Sequence, residues 1–268
     1  MIELLAIDMD GTLLSDRHRI SERTMQALHR AAQAGITVVP TTGRAISALP
    51  HQIVNEAFYR YVISSNGACT TDLLRRRELY EAKLPCEKTV EFLRRAAQLK
   101  NVGVSAHVDH EFLLEGEILT RLGRLTYGKD AKNTVCCRDL AAELERRGSD
   151  VEELQLFYFS KSAHEALAQL LAETPWMLQA WTSPYVELYA PEASKGNALS
   201  ALAASLQIPK ERIACIGDAE NDFSMFEASG FRFAMGNGID ALKDRADHVL
   251  PGNNEDGVAA AIDLLLGD

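Results

Sequence analysis

Three aspartates and one lysine stand where they could do chemistry together. Asp8 and Asp10 follow a short apolar run at the amino terminus, and Asp218 follows another, Ile213 to Ile216, after Gly217. Thr41 and Thr42 close a third apolar run, and Asn66 closes a fourth. In an open parallel sheet, ligands bind beyond the carboxyl ends of the strands. Four such strands would bring three carboxylates, a hydroxyl pair and an amide to one edge. Carboxylates gathered so closely repel one another and resist ionising. A divalent cation removes that conflict, and a few oxygen ligands with positions left to water and substrate suit Mg²⁺ better than zinc. Helix amino termini begin at the same edge and favour an anion, which points to a phosphate group beside the metal. Phosphoryl transfer needs positioning, charge neutralisation and an in-line nucleophile. Asp8 fits the nucleophile. Asp10 could protonate the leaving oxygen and then activate water. Lys195, followed by Gly196 where a helix starts, could supply fixed positive charge.

Taken singly, each of these residues has a plainer reading. Asp10-Gly11 is a turn signal, Asn66-Gly67 is a hairpin turn, and Lys195 alone would be a solvated lysine. Asp218 and Asp222 could merely cap the helix that follows. Their joint placement after successive strands is what separates a site from a set of turns.

The elements that must position them alternate. Ile2 to Ile7 reads as a buried strand, and Ser21 caps a helix whose Met25, Leu28 and Ala32 recur at helical spacing until Gly35. Ile36 to Val39 and Tyr61 to Ser65 are further strands, with a helical stretch from Ala45 to Phe58 between them that Pro50 should kink or split. The last third repeats the theme: a helix from Asn197 to Leu206, a strand from Ile213, a helix from Asn221 to Ala228, short strands at Phe231 to Met235 and His248 to Leu250, and a closing helix from Gly257 to Leu266. This order predicts right-handed crossovers and a parallel sheet.

The middle has another texture. A helix from Glu87 to Leu99 precedes strand-like pieces at Val102 to Val108 and Glu111 to Leu114. Further pieces follow at Gln155 to Phe159, Met177 to Trp181 and Tyr185 to Leu188, with a helix from Ala163 to Glu173. Bunched strands suggest an antiparallel sheet with helices on one face. Pro85 and Pro191 mark the junctions. The expected fold is α/β: a Rossmann-like parallel-sheet core over residues 1–84 and 190–268, interrupted by an α+β domain over 85–189.

Composition narrows the class. The 268 residues carry a net charge of −10, with 47% apolar and 25% charged residues, as folded soluble proteins do. An acidic chain without a basic arm is a poor partner for nucleic acid or an anionic membrane. No apolar run approaches the roughly 20 residues that span a bilayer. With Glu3 and Asp8 and no basic lead, Met1 to Asp10 is not expected to be a signal peptide. The five cysteines are too few and too scattered for a disulfide framework, so a cytoplasmic location is expected.

Against this background the motifs resemble those of the haloacid-dehalogenase-like hydrolases, in their Cof-type phosphatase branch. Asp8-Met9-Asp10-Gly11-Thr12-Leu13-Leu14 looks like the first motif. Thr41-Thr42-Gly43-Arg44, Asn66-Gly67-Ala68, Lys195-Gly196-Asn197-Ala198-Leu199 and Gly217-Asp218-Ala219-Glu220-Asn221-Asp222 look like the rest, in the family's order. Ala234-Met235-Gly236-Asn237 and Asn254-Glu255-Asp256-Gly257-Val258 add support. The middle segment matches in size and place only, as an inserted cap that would choose the substrate. The resemblance implies that Asp8 attacks phosphorus and binds Mg²⁺. It implies that Asp10 is the general acid and base and offers its carbonyl to the metal, and that Asp218 is a direct ligand with Asp222 behind it. Met9, Thr42, Gly43, Lys195 and Asn221 would hold the phosphoryl group, with Asn66 and Arg44 nearby. A carboxylate at Asp10 suits ester hydrolysis; the family's dehalogenases lack it and its cation pumps carry Thr. One departure is Pro40-Thr41, where the branch has an apolar residue and then Ala.

The expected activity is Mg²⁺-dependent hydrolysis of a small phosphate ester, most plausibly a sugar phosphate, through an aspartyl-phosphate. A phosphomutase would share the core chemistry. A receiver-like signalling module would also gather such residues, but its acceptor aspartate follows the third strand, where this chain has Asn66. Cys136-Cys137 reads as strand, Arg75 to Arg77 as a solvated hairpin tip, and Trp181, Tyr185 and Tyr189 as packing residues. The oligomeric state is left open.

Overall fold

Leu4–Asp8 are all buried and form strand β1, because a short apolar run can be covered on both faces only inside a parallel sheet. Ser21 caps helix α1 (Glu22–Gln33) by accepting the Thr24 amide at 3.0 Å. Then come β2 (Thr37–Thr41), α2 (His51–Val54), β3 (Tyr61–Ser64), β4 (Cys69–Asp72) and β5 (Arg77–Glu81). The next stretch holds α3 (Cys86–Ala96), β6 (Val102–Val108), β7 (Glu111–Glu115), α4 (Gly116–Tyr127), β8 (Val135–Cys137), α5 (Leu140–Arg147) and β9 (Val151–Tyr158). It ends with α6 (Lys161–Ala172), β10 (Leu178–Thr182) and β11 (Tyr185–Tyr189). Last are α7 (Lys195–Ser205), β12 (Ile213–Gly217), α8 (Phe223–Ala228), β13 (Phe231–Ala234), α9 (Asp240–Lys243), β14 (His248–Val249) and α10 (Gly257–Leu266). The structure is a computed structural model that describes residues 1–127 and 134–267.

The chain divides into two units. The first comprises Met1–Gly43, His51–Glu81 and Ser194–Asp268. Its eight strands run in the order β14-β13-β12-β1-β2-β3-β4-β5, parallel from β14 to β3. β4 and β5 add antiparallel strands on either side of the hairpin tip expected near Arg75 to Arg77, and Ser65–Gly67, with Asn66 at φ +53°, turns the chain into β4. Leu4, Ala6, Ile63, Ile213 and Cys215 pack with Leu199 and Leu202 of α7 and Met225 of α8 in one core. Pro40 sits inside β2, opposite Ile7, without ending the strand.

The second unit comprises Arg44–Pro50 and Ala82–Ala193. Its six-stranded sheet runs β10-β11-β9-β6-β7-β8, antiparallel throughout except that β8 lies parallel to β7. Apart from the strand read at Cys136-Cys137, which is β8, the sequence reading left 115–154 without elements before Gln155, yet α4, α5 and the first half of β9 lie there. α5 carried its signals openly: Asp139 caps it by accepting the Ala142 amide at 2.9 Å, and Gly148 ends it at φ +67°.

The boundaries also differ from those expected. Leu84 exchanges backbone hydrogen bonds with Val151 (2.7 and 2.9 Å), which joins the residues from Ala82 onward to the second unit. Pro50 splits the stretch from Ala45 into a 3₁₀ turn, Ile46–Ala48, and α2. That turn belongs with the second unit. The Ser47 amide donates to the His110 carbonyl (2.9 Å), Ser47 Oγ accepts from the Phe112 amide (3.2 Å), and Ala45 packs with Phe112, Leu114 and Leu119.

Candidate active site

Asp8 ends β1 and lies opposite Thr41 on β2, while Ile7 pairs with Ile216 of β12, so three strands finish side by side. The chain then turns tightly: the Leu13 amide donates to the Asp8 carbonyl (3.1 Å) and the Leu14 amide to the Met9 carbonyl (2.8 Å). Gly11 takes φ +85°, and a Cβ there would lie 2.5 Å from Asp218 Oδ2. Only glycine lets this turn approach that carboxylate.

Lys195 is buried at the start of α7, at 1% exposure. Its Nζ donates to Asp8 Oδ1 at 2.6 Å and to Asp222 Oδ1 at 2.7 Å. Ser194 caps α7 through the Asn197 amide (3.0 Å), and the Gly196 amide donates to Ser224 Oγ of α8 (3.0 Å). A Cβ at Gly196 would lie 2.1 Å from the Ser224 carbonyl oxygen, so the lysine is delivered by a helix contact that admits no side chain. Asp222 is fully engaged, its Oδ2 accepting from the amides of Asp218 (2.8 Å) and Ala219 (3.0 Å). Thr12 Oγ1 donates to Asp218 Oδ1 at 2.7 Å.

Carboxylate oxygens of Asp8, Asp218 and Asp222 lie within 4.8 Å of one another. Burial, with Asp222 and Asp218 adding repulsion, pushes the Asp8 carboxyl well above its usual range despite the pull of Lys195. Asp218 is raised too, by burial and by Asp222, against the hydrogen bond from Thr12. Lys195 is raised in turn, since Asp222 and Asp8 outweigh its own burial. Three ionised carboxylates around one ammonium leave an excess of 3 − 1 = 2 negative charges. Lys195 takes one oxygen of Asp8 and Thr12 one oxygen of Asp218. Hard oxygen donors carrying that surplus fit a divalent cation such as Mg²⁺.

A second group sits on the same unit. Thr42 is buried, its amide donating to the Ile63 carbonyl (2.9 Å) and its carbonyl accepting from the Asn66 amide (3.0 Å). A Cβ on Gly43 would lie 3.0 Å from Asn66 Nδ2, and Asn221 Nδ2 donates to Asn66 Oδ1 at 3.1 Å. Thr42, Gly43, Asn66 and Asn221 are thereby joined. Met9 is buried, whereas the Asp10 side chain is 49% exposed and its Oδ1 lies 3.9 Å from His18 Nδ1. Arg44, expected near the site, follows Gly43 directly, counts with the second unit and donates to the Ala48 carbonyl at 3.2 Å.

Sequence reasoning gave no role to Thr12 or Asn237, although both lie in quoted motifs. Asn237 Nδ2 donates to the Gly11 carbonyl (2.8 Å), and its Oδ1 accepts from the Asn253 amide (2.8 Å), so it braces the turn after Asp8. Asp256 accepts from Ser21 Oγ and Thr24 Oγ1, tying α10 to the start of α1. Cys136 and Cys137 lie in β8, and Arg75 and Arg76 in the exposed β4–β5 turn. Trp181 is not packed away as expected; it is 40% exposed.

The comparisons agree with this arrangement. The haloacid dehalogenase-like hydrolase family matches residues 5–262. Phosphatase YwpJ of Bacillus subtilis (strain 168) is 31% identical over 294 residues, covering 99% of this chain and 100% of its own. The 5-amino-6-(5-phospho-D-ribitylamino)uracil phosphatase YwtE of the same organism is 28% identical over 99% of this chain and 98% of its own. Among solved structures, a haloacid dehalogenase-like hydrolase from B. subtilis aligns with TM-score 0.83 and 29% identity, covering 98% of this chain and 100% of that one. Buried aspartates clamped by Lys195 at the ends of parallel strands thus occur in a chain that belongs to the haloacid dehalogenase-like hydrolases and is a phosphatase of that family.

Proposed function

We propose that the protein is a Mg²⁺-dependent phosphatase of a small phosphorylated metabolite, a sugar or polyol phosphate, acting through an aspartyl-phosphate on Asp8. The observation that carries this reading is the clamp on Asp8: Lys195 holds Oδ1 at 2.6 Å, which fixes the carboxylate, and its other oxygen would bond to phosphorus. That oxygen attacks, the ester P–O bond breaks, and Asp10 gives its proton to the departing alkoxide. Asp10 then takes a proton from the water that cleaves the acyl phosphate, releasing phosphate and restoring both acids. The half-exposed setting of Asp10 suits a group that must meet both a leaving alcohol and solvent water.

Asp8, Asp218 and the Asp10 carbonyl would hold the metal, with Asp222 fixing Asp218 and Lys195 from behind. The bound cation would supply charge neutralisation for the phosphoryl oxygens. Lys195, Thr42, the Met9 and Gly43 amides and Asn221 would steady the phosphoryl group, with Asn66 joining two of them. Arg44 begins the segment that the second unit holds, and that unit would select the leaving group. The name of the relative YwtE, with its phosphorylated ribityl chain, supports a hydroxyl-rich substrate. A cytoplasmic setting goes with the reading, since all five cysteines are unpaired.

The decisive experiment is Asp8→Asn. Phosphate release from sugar and polyol phosphates should fall at least about 10³-fold while circular dichroism stays unchanged. Acid-quenched wild-type enzyme should carry phosphate on the peptide containing Asp8. Retained turnover in the variant would remove Asp8 as nucleophile.

A further inference from the structure

Four strands edge the two sheets, and among the described residues three of them are guarded. β14 has two residues and β8 three, too short to template a partner. β5 carries Arg77, Glu78 and Glu81. β10 is different. Leu178-Gln179-Ala180-Trp181-Thr182 has neither charge nor proline, and four of its five residues are exposed, Leu178 at 45% and Trp181 at 40%. Its strand partner is β11 alone, so along the outer side every second residue presents backbone N–H and C=O groups. Folded proteins blunt such an edge unless something pairs with it.

The apolar side chains there are held in place. The Trp181 ring lies 4.9 Å from His164 and 6.0 Å from Tyr158, and its Nε1 donates to Gln179 Oε1 at 3.2 Å. Tyr158 Oη donates to the Thr182 carbonyl at 3.3 Å. The neighbouring Phe159 is 55% exposed. A braced indole on an uncharged edge offers a partner a preformed surface with little ordering left to do.

We propose that β10 is the contact of a homodimer, two copies pairing this strand antiparallel about a two-fold axis at Ala180. A second copy is the fitting occupant because the strand complements itself. In that register Ala180 meets its own counterpart, Gln179 meets the partner's Trp181, and Leu178 meets the partner's Thr182, so no charge faces a like charge. At about 3.4 Å per residue the edge is about 17 Å long. A single five-residue strand pair is a small contact beside a standard interface, so association is reversible and concentration-dependent. The proposal does not depend on the catalytic reading.

Sedimentation velocity on the full-length protein, from micromolar to about 1 mM, is the test. Wild type should pass from monomer to dimer across that range. The double substitution Leu178→Lys, Thr182→Lys sets like charges against each other in this register and should hold the protein monomeric with unchanged melting temperature. Ala180→Cys, made together with Cys136→Ser to remove the exposed native thiol, should form a covalent dimer on mild oxidation, since directly opposed Cα atoms lie about 4.5–5.5 Å apart. A wild type that stays monomeric throughout overturns the proposal, and so does a dimer that the double substitution leaves intact.

Discussion

Two places in this molecule surround one cation with three carboxylates, and they behave oppositely. In the second unit, Arg147 reaches Glu143 (2.9 Å), Glu111 (2.8 Å) and Asp109 (3.3 Å), whose side chains are 20–48% exposed. Hydrogen bonds from Arg146 and Arg147 pull the Glu143 carboxyl down to about 2. In the first unit, Lys195 reaches Asp8 and Asp222 with Asp218 beside them, at side-chain exposures of 0–8% for the bonded pairs. There the carboxyls of Asp8 and Asp218 rise. The difference is solvent and geometry. A guanidinium fork near water satisfies several acids at once, whereas one buried ammonium cannot discharge three crowded acids. The first arrangement lies open to solvent, whereas the second holds a buried surplus of negative charge, which suits the divalent cation of the proposed function.

Removing that cation should have the largest effect. EDTA should abolish phosphate release and Mg²⁺ restore it; activity indifferent to the chelator would remove the metal from the reading. Calorimetry should sharpen the same point, with Mg²⁺ at 100 times its dissociation constant adding about 2.7 kcal/mol of stability. Next comes Lys195→Met, which strands Asp8 and Asp222 without their partner. A loss of about 3–5 kcal/mol in denaturant unfolding, together with loss of turnover, is expected; a change under about 1 kcal/mol would mean the clamp is not what holds these acids.

The same experiment on the other cluster should do far less. Arg147→Met is expected to cost about 1 kcal/mol or less and leave turnover in place, because its partners stay hydrated. The smallest effect is a pH dependence. Glu143 has its folded pKa lowered from 4.5 to about 2, so its contribution is present above pH 4.5 and is lost as the pH falls toward 2. Glu143→Gln should therefore lower stability slightly at pH 7, by less than about 1 kcal/mol, with the gap to wild type closing in acid. A gap that widened in acid would reverse the sign argued here.

Much of the site was legible because its residues end strands. Short, continuously buried apolar runs mark β1, β2 and β12, and a polar residue at the end of such a run has few places to go. Thr12 and Asn237 were not legible in role, because what they do is hold Asp218 and the Gly11 carbonyl, 206 and 226 residues away in sequence. Arg44 drew no definite role for the opposite reason. Adjacent to Gly43 in the chain, it lies where the 3₁₀ turn bonds to the β6–β7 hairpin, and that bonding assigns it to the second unit. The three-residue β8 gives too short a pattern to show more than the strand read at Cys136-Cys137.

Sequence alone therefore determined the inventory: which acids, which lysine, and that each stands at the end of a buried run or the start of a helix, since side-chain periodicity and capping are local properties. Tertiary structure decided which of them meet. Lys195 reaches Asp8 across 187 residues only because Gly196 lets α7 press against α8 and because β1 lies between β2 and β12. Close approach of backbones and the desolvation it brings are properties of the packed whole, and they are what turn a salt bridge into a buried, strongly charged site.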